Sequence, residues 1–399
     1  MSRPFSTPSL DRRHFLRGSL GAGVAGLLPR VSGADLPAPP SASYEGPNVV
    51  IVRFGGGVRR RETIDPEHTY APYLCKTLAA RGTLFRNMMI DQFEDINTSH
   101  GEGTLYILTG KYEKFRDVEN KFLGSRFEAK VPTVFEYLRK TYAVPDYQTL
   151  IINGEDRTQE EFYSFSNHHL FGASFKSETL SLYRYKCWLL EQQIAEGKWK
   201  DNQLEKKRKE LKKLTSIDYR TAGRVNANEK VREFWARWRH HYGENGFVNP
   251  RGDRLLTELT LWSLQHLQPR LLMVNYNDPD YVHWGNMSHY THGISIIDQG
   301  LRQLVDAVDA DPFYRDNTIF VVVPDCGRDS NPLVAVPCQH HFNSKSAHEI
   351  WALVFGPGVP KNQVIEREVD QTSLAATMGR YMNVPTEFAE GPALEEAIA

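Results

Sequence analysis

A strand–helix–strand unit in the C-terminal half most constrains the fold. Residues 270–276 (RLLMVNY) and 318–323 are largely apolar runs with the length of buried strands. Between them, residues 288–308 place Ile294, Ile297, Leu301, Leu304, Val305 and Val308 at helical spacing. A helix crossing between two such strands favours a parallel pair. Further strands are expected at residues 48–54, 83–89, 147–153 and 351–355. Helices are expected at residues 70–81, 101–109, 131–142, 254–267 and 370–381. The alternation predicts an α/β class, a mostly parallel sheet with helices on both faces.

Both strands of the unit end in acid and histidine. Asp280 and His283 follow the first, with His289 and His292 close behind. Asp325, Arg328 and Asp329 follow the second, and His340, His341, Lys345, His348 and Glu349 come next. In open α/β sheets ligands bind beyond the carboxyl ends of the strands. One carboxylate with two imidazoles favours zinc or manganese over calcium or magnesium. Such an ion polarises a phosphoryl or sulfuryl oxygen and lowers the pKa of a hydroxyl or water.

Two features lie upstream. The strand at 48–54, interrupted by Arg53, runs straight into Gly55-Gly56-Gly57, then Arg59, Arg60, Arg61 and Glu62. The spacing is not that of a dinucleotide site. The arginines either hold an oxyanion or are a solvated loop. Thr98, Ser99 and His100 stand just before a helix start. A hydroxyl there is either an activated nucleophile beside free N–H groups or a plain N-cap.

Residues 156–249 break the alternation. They are polar, aromatic and charged, with one long helix at 190–214 and another at 229–242 carrying Val231, Phe234, Trp235 and Trp238. This reads as a helical insertion with a solvated Lys/Arg face. The chain of 399 residues has 48 basic and 49 acidic residues, which gives nucleic-acid binding no electrostatic support. Cys75, Cys187, Cys326 and Cys338 form no C-x-x-C pair, and whether Cys326 meets Cys338 is not decided by spacing. At the N-terminus, Asp11-Arg12-Arg13-His14-Phe15-Leu16-Arg17 precedes a short Gly/Ala-rich apolar run and Ser32-Gly33-Ala34. This is the pattern of a twin-arginine export signal over residues 1–34, too short in its apolar part to span a membrane. A linker at 35–47 leads into a domain at 48–399. The expected location is periplasmic or secreted, with the twin-arginine export machinery as a partner.

The ordered set of motifs resembles the alkaline phosphatase/sulfatase superfamily, in a twin-arginine-exported, sulfatase-like bacterial branch. Pro47-Asn48-Val49-Val50-Ile51-Val52 resembles its first strand. Leu78-Ala79-Ala80-Arg81-Gly82-Thr83-Leu84-Phe85 and Leu108-Thr109-Gly110-Lys111-Tyr112 resemble the sulfatase pairing of L-A-x-x-G-x-x-F with L-T-G-x-Y. Asp280-x-x-His283 is similar to a D-x-x-x-H metal motif, one residue short. His340 or His341, Lys345, Glu349 and Phe355-Gly356-Pro357-Gly358 resemble the sulfatase run that follows, and residues 370–377 the closing helix.

The resemblance implies an alkaline-phosphatase-like sandwich acting on a small anionic ester. Ser99 or Thr98 would be the nucleophile, and His100, Arg328 and Lys345 would stabilise charge or move a proton. Asp280, His283, His340 or His341, and Asp325 would be metal ligands, with Glu62 the nearest substitute for an acid absent after the first strand. The departures are equally specific. No C/S-x-P-x-R motif precedes Leu108, and Cys326 stands where a histidine is expected. One metal site is depleted, so a single ion rather than two is within the expectation. The competing expectation is a catalytically lapsed protein that binds an anionic ligand or a partner.

Overall fold

The structure is a computed structural model describing residues 40–90, 98–112, 116–117, 127–155, 160–164, 171, 173–216, 228–244, 252–283, 286–330, 338–340 and 344–398. Among the described residues nine strands form one sheet: β1 (Asn48–Phe54), β2 (Gly82–Met89), β3 (Thr149–Asn153), β4 (Glu178–Leu180), β5 (Leu271–Asn275), β6 (Thr318–Pro324), β7 (Glu349–Phe355), β8 (Gln363–Ile365) and β9 (Val369–Asp370). Their order is β8-β2-β7-β6-β1-β5-β3-β4, with β9 also paired to β2. The crossover unit is present as expected. β5 and β6 flank β1, both parallel to it, with Ile51 opposite Met273 on one side and Val321 on the other. β7 alone is reversed: it runs antiparallel to both β6 and β2.

Among the described residues the helices of eight residues or more are α1 (His100–Thr109), α2 (Val134–Thr141), α3 (Leu182–Ala195), α4 (Asp201–Thr215), α5 (Glu229–Tyr242), α6 (Asp253–Leu267), α7 (Met287–Ala310) and α8 (Ser373–Met382). They cover the two faces as strand alternation dictates. Val50, Val52, Leu272, Val274 and Phe320 point to one core, closed by Ile294, Ile297 and Leu301 of α7 and by α5 and α6. Val49, Ile51, Met273, Ile319 and Val321 point to the other, closed by Leu105 of α1, Phe135 of α2 and Met378 of α8. β1 is buried along its whole length, as a central strand covered on both sides must be.

Three expectations need correction. Residues 70–81 are not one α-helix but a π-helical segment, Tyr73–Leu78, followed by a 3-10 turn, Ala79–Arg81. Its first N–H groups, of Tyr73 and Leu74, donate to the Asp298 carboxylate at 3.0 and 2.8 Å, a partner that local sequence does not reveal. The helix expected at 190–214 is two helices, α3 and α4, parted at Gly197, which sits at φ +70°. The insertion is not wholly helical either, since β4 within it extends the sheet beside β3. Val231, Phe234, Trp235 and Trp238 of α5 are buried, as their spacing predicted. α4 buries none of its residues, so its Lys-rich surface is solvated.

Candidate metal centre

The carboxyl ends of β1, β5 and β6 lie at one edge of the sheet, and the polar residues gather there. After β1 the chain turns through Gly56 and Gly57, at φ +87° and +67°. A β-carbon on Gly56 would collide with the Asp280 backbone, and one on Gly57 with the Gly327 carbonyl. This close turn aims N–H groups at Asp325. Gly56 N donates to Oδ2 at 3.3 Å, Gly57 N to Oδ1 at 3.1 Å, and Cys326 N to Oδ1 at 2.8 Å. The Arg53 guanidinium, at the end of β1, lies 3.2 Å from Asp325 Oδ2. Burial would raise the Asp325 carboxyl; Arg53 and then His100 outweigh it and hold the group below the usual carboxylate range.

α1 begins at this carboxylate. Ser99 is its N-cap, accepting from Glu102 N at 3.4 Å. One turn on, Gly103 packs against Asp325, whose carbonyl leaves no room for a β-carbon. That contact sets His100 between two acids. Its Nδ1 lies 2.8 Å from Asp325 Oδ2 and its Nε2 2.7 Å from Asp280 Oδ1. Burial would lower the His100 pKa, but Asp325 and Asp280 hold it well above its ordinary value.

Two more rings face the same oxygen. His283, after the turn Asp278–Val282, has Nε2 at 2.5 Å from Asp280 Oδ1 and Nδ1 at 2.8 Å from Gln339 Oε1. His340 has Nε2 at 3.6 Å from Asp280 Oδ1 and Nδ1 at 2.6 Å from the Thr98 carbonyl. A carbonyl, an amide oxygen and an ionised carboxylate all accept. Each Nδ1 therefore carries hydrogen, and each Nε2 is turned to Asp280. An Nε2 lone pair facing the carboxylate is repelled unless a cation, proton or metal, lies between them. The donor atoms of His100, Asp280, His283 and His340 all lie within 4.8 Å of one another. Imidazoles anchored through Nδ1 with a carboxylate are a donor set that fits a zinc-like ion. The mouth is on the Asp280 and His283 side, where the side chains are 23% and 24% exposed, against 0% for His340.

The other expected residues fall in three places. Thr98 is buried and its hydroxyl donates to the His340 carbonyl, so it clamps the histidine loop. Ser99 is half-buried at the N-terminus of α1, beside His100. Arg328 is buried, and its guanidinium donates to the carbonyls of Gly57, Gly56, Pro279 and Cys338, pinning the three loops together. Glu62 is buried but held by Arg59 through two bonds of 2.6 and 2.8 Å, and does not join the cluster. Lys345 is largely exposed, with Nζ 3.7 Å from Glu349 Oε1. His341 lies outside the described residues, as does the twin-arginine stretch. Arg59 and Arg60 are engaged with protein groups rather than open to an oxyanion: Arg60 donates to the carbonyls of Ile350 and Met88 at 2.9 Å each.

All four cysteines are free. Burial pushes the Cys326 thiol up to about 12, so it packs as a neutral group near His100. Sequence reasoning did not assign Arg53 or Gln339 to the site. Arg53 left a signal, a charge inside an apolar strand. Gln339, which orients His283, left none.

No family model and no curated protein matches the sequence. Solved structures do match the fold. Wild-type alkaline phosphatase PafA superposes with a TM-score of 0.53 at 10% identity, covering 89% of this chain and 99% of that one. Phosphonate monoester hydrolase from Silicibacter pomeroyi gives 0.51 at 12% identity, covering 90% and 77%. BT1596, a 2-O GAG sulfatase, gives 0.50 at 12% identity, covering 89% and 74%. The chain has the alkaline-phosphatase-superfamily fold. Among the described residues no helix is long and apolar enough to cross a membrane.

Proposed function

We propose that the protein is an exported, metal-dependent hydrolase of small anionic esters, phosphate esters before sulfate esters. One observation carries the reading: imidazole Nε2 atoms of three histidines converge on Asp280 Oδ1 at the open edge of the sheet. Asp280, His283 and His340 would hold the ion. Bound there, it would polarise a phosphoryl or sulfuryl oxygen and stabilise charge on the leaving oxygen.

The chain's own groups supply the rest. Ser99 is the better nucleophile of the two hydroxyls, because the Thr98 hydroxyl is buried on the His340 carbonyl while Ser99 is half-buried at a helix N-terminus. Its oxygen would attack phosphorus in line as the ester oxygen leaves and takes up a proton. Water would then release the phosphate and restore the hydroxyl. The N-terminal end of the α1 dipole favours the developing negative charge. Arg328 acts by holding the loops in register. The absence of C/S-x-P-x-R ranks sulfate second. Residues 1–34 support export by the twin-arginine route to the periplasm or beyond.

A second reading, a lapsed enzyme that keeps an ion and binds an anion, is favoured by the hydroxyls of Thr98 and Ser99 both being engaged with backbone. A panel of chromogenic phosphate monoesters, diesters and sulfate esters, assayed with Zn, Mn, Mg or Ca after chelation, separates the two. Metal-restored turnover that Ser99→Ala abolishes supports the hydrolase. A metal-bound protein with no turnover on any substrate supports the second reading.

A further inference from the structure

We propose that the centre is mononuclear, with His100 as a fourth protein ligand and the Arg53 guanidinium in place of a second ion. The inference rests on the metal reading above and narrows it.

The position of His100 carries the first half. Its ring centroid is 4.3 Å from that of His340 and 6.4 Å from that of His283, on the same carboxylate oxygen. Its Nδ1 is held by Asp325 as the other two are held by Gln339 and Thr98. All three histidines therefore present the same nitrogen, anchored the same way, to one point. A residue at the first position of α1 is fixed by the helix, by the Ser99 cap and by the Gly103–Asp325 contact, so the ring is preorganised.

Asp325 carries the second half. The sequence placed it among the ligands, but Oδ1 already accepts from two N–H groups and Oδ2 meets Gly56 N, His100 and Arg53. It is an orienting partner for His100, the role that outer-shell carboxylates play beside metal-bound histidines. Beyond it stands a built-in cation. Arg53 is fully buried and reaches Asp325 Oδ2 at 3.2 Å and Glu155 Oε1 at 2.5 Å, with Thr104 Oγ1 at 2.6 Å and the Tyr276 carbonyl at 2.8 Å. The donor atoms of His100, Asp325 and Cys326 also lie within 4.8 Å of one another, and a second divalent ion there would lie against this guanidinium. The other nearby acid, Glu62, is held by Arg59.

The test is made on the full chain loaded with zinc. Elemental analysis is expected to give one zinc per chain, and zinc-edge X-ray absorption three imidazoles in the first shell. Two imidazoles overturn the His100 assignment while leaving the metal reading intact. Two zinc ions per chain overturn the Arg53 assignment. No retained zinc overturns the metal reading itself. These measurements need no variant to fold. His100→Ala, checked for fold by circular dichroism, is expected to bind zinc at least about 100-fold more weakly. Asp325→Asn is expected to lose about 10- to 100-fold. Wild-type affinity in His100→Ala overturns its place as a ligand, and wild-type affinity in Asp325→Asn overturns the orienting role.

Discussion

Charged side chains are handled in opposite ways at the sheet edge and in the insertion. At the sheet edge Arg53, Asp325 and His340 are wholly buried, and each is held by several groups from distant parts of the chain. In the insertion Arg239 bridges Glu196 at 2.6 Å and also meets Glu244, which Lys198 reaches too, yet Glu196 and Lys198 are 49% and 43% exposed. Salt-bridge geometry alone does not tell the two regions apart. Solvent does. An exposed ion that loses its partner turns to water, whereas a buried one has nowhere to go.

The most severe way to break this contrast is Arg53→Met. It leaves the Glu155 carboxylate without the Arg53 cation and Asp325 with His100 alone, and unfolding in urea is expected to show a loss of about 3–5 kcal/mol. A loss comparable to that of a surface variant would erase the distinction. Next comes Asp280→Asn, which replaces the carboxylate on which the three rings converge. Zinc affinity measured by competition with a chromophoric chelator is expected to fall at least about 100-fold, with a smaller change in stability than Arg53→Met.

A gentler probe is pH. Asp325 and Asp280 favour a proton on His100, raising its pKa well above its ordinary value. A cation entering the centre must displace that proton. Zinc affinity is therefore expected to rise with pH by up to about tenfold per unit below the His100 pKa. Calorimetry in buffers of different ionisation enthalpy should register the released proton, and an affinity independent of pH would contradict it.

The smallest effect is expected from Arg239→Ala, a shift in Tm of no more than about 2 °C. Hydrogen bonds from Lys198 and Arg239 hold the Glu244 carboxyl down to about 2, below its ordinary 4.5. A depressed acid stabilises the fold above its unfolded pKa, and that contribution is lost as pH falls through the folded one. The difference between variant and wild type should therefore be present above about pH 4.5 and fade toward pH 2.

The contrast also explains what was legible in the sequence. Strands and helices followed from apolar periodicity, because burial on both faces leaves a continuous run such as Val49-Val50-Ile51-Val52. Asp280, His283, Asp325 and His340 could be grouped from the sequence because strand ends at one edge of a parallel sheet must be neighbours, and the structure places them together there. Their roles were harder to read. Whether Asp325 faces an ion or a guanidinium depends on Arg53, 272 positions earlier, and on glycine N–H groups that leave no compositional mark. His100 was placed near the site but not between two acids, since that depends on how Gly103 packs. The break between α3 and α4 was signalled by Gly197 and was overridden by the charge-rich helical composition around it.

The reversed direction of β7 has a consequence for how such a centre can change. The segment bearing Arg328 and His340 leaves the sheet at the end of β6 and re-enters at the start of β7. Because the two strands are antiparallel, both points lie on the same edge. No crossover has to span the sheet between them. The described part of the segment is held to the edge by Arg328, which donates to the Gly56, Gly57 and Pro279 carbonyls, so a change in segment length would have to preserve those anchors. His100 is built into a helix packed on the sheet, so such a change would act on one side of the centre and leave the other fixed.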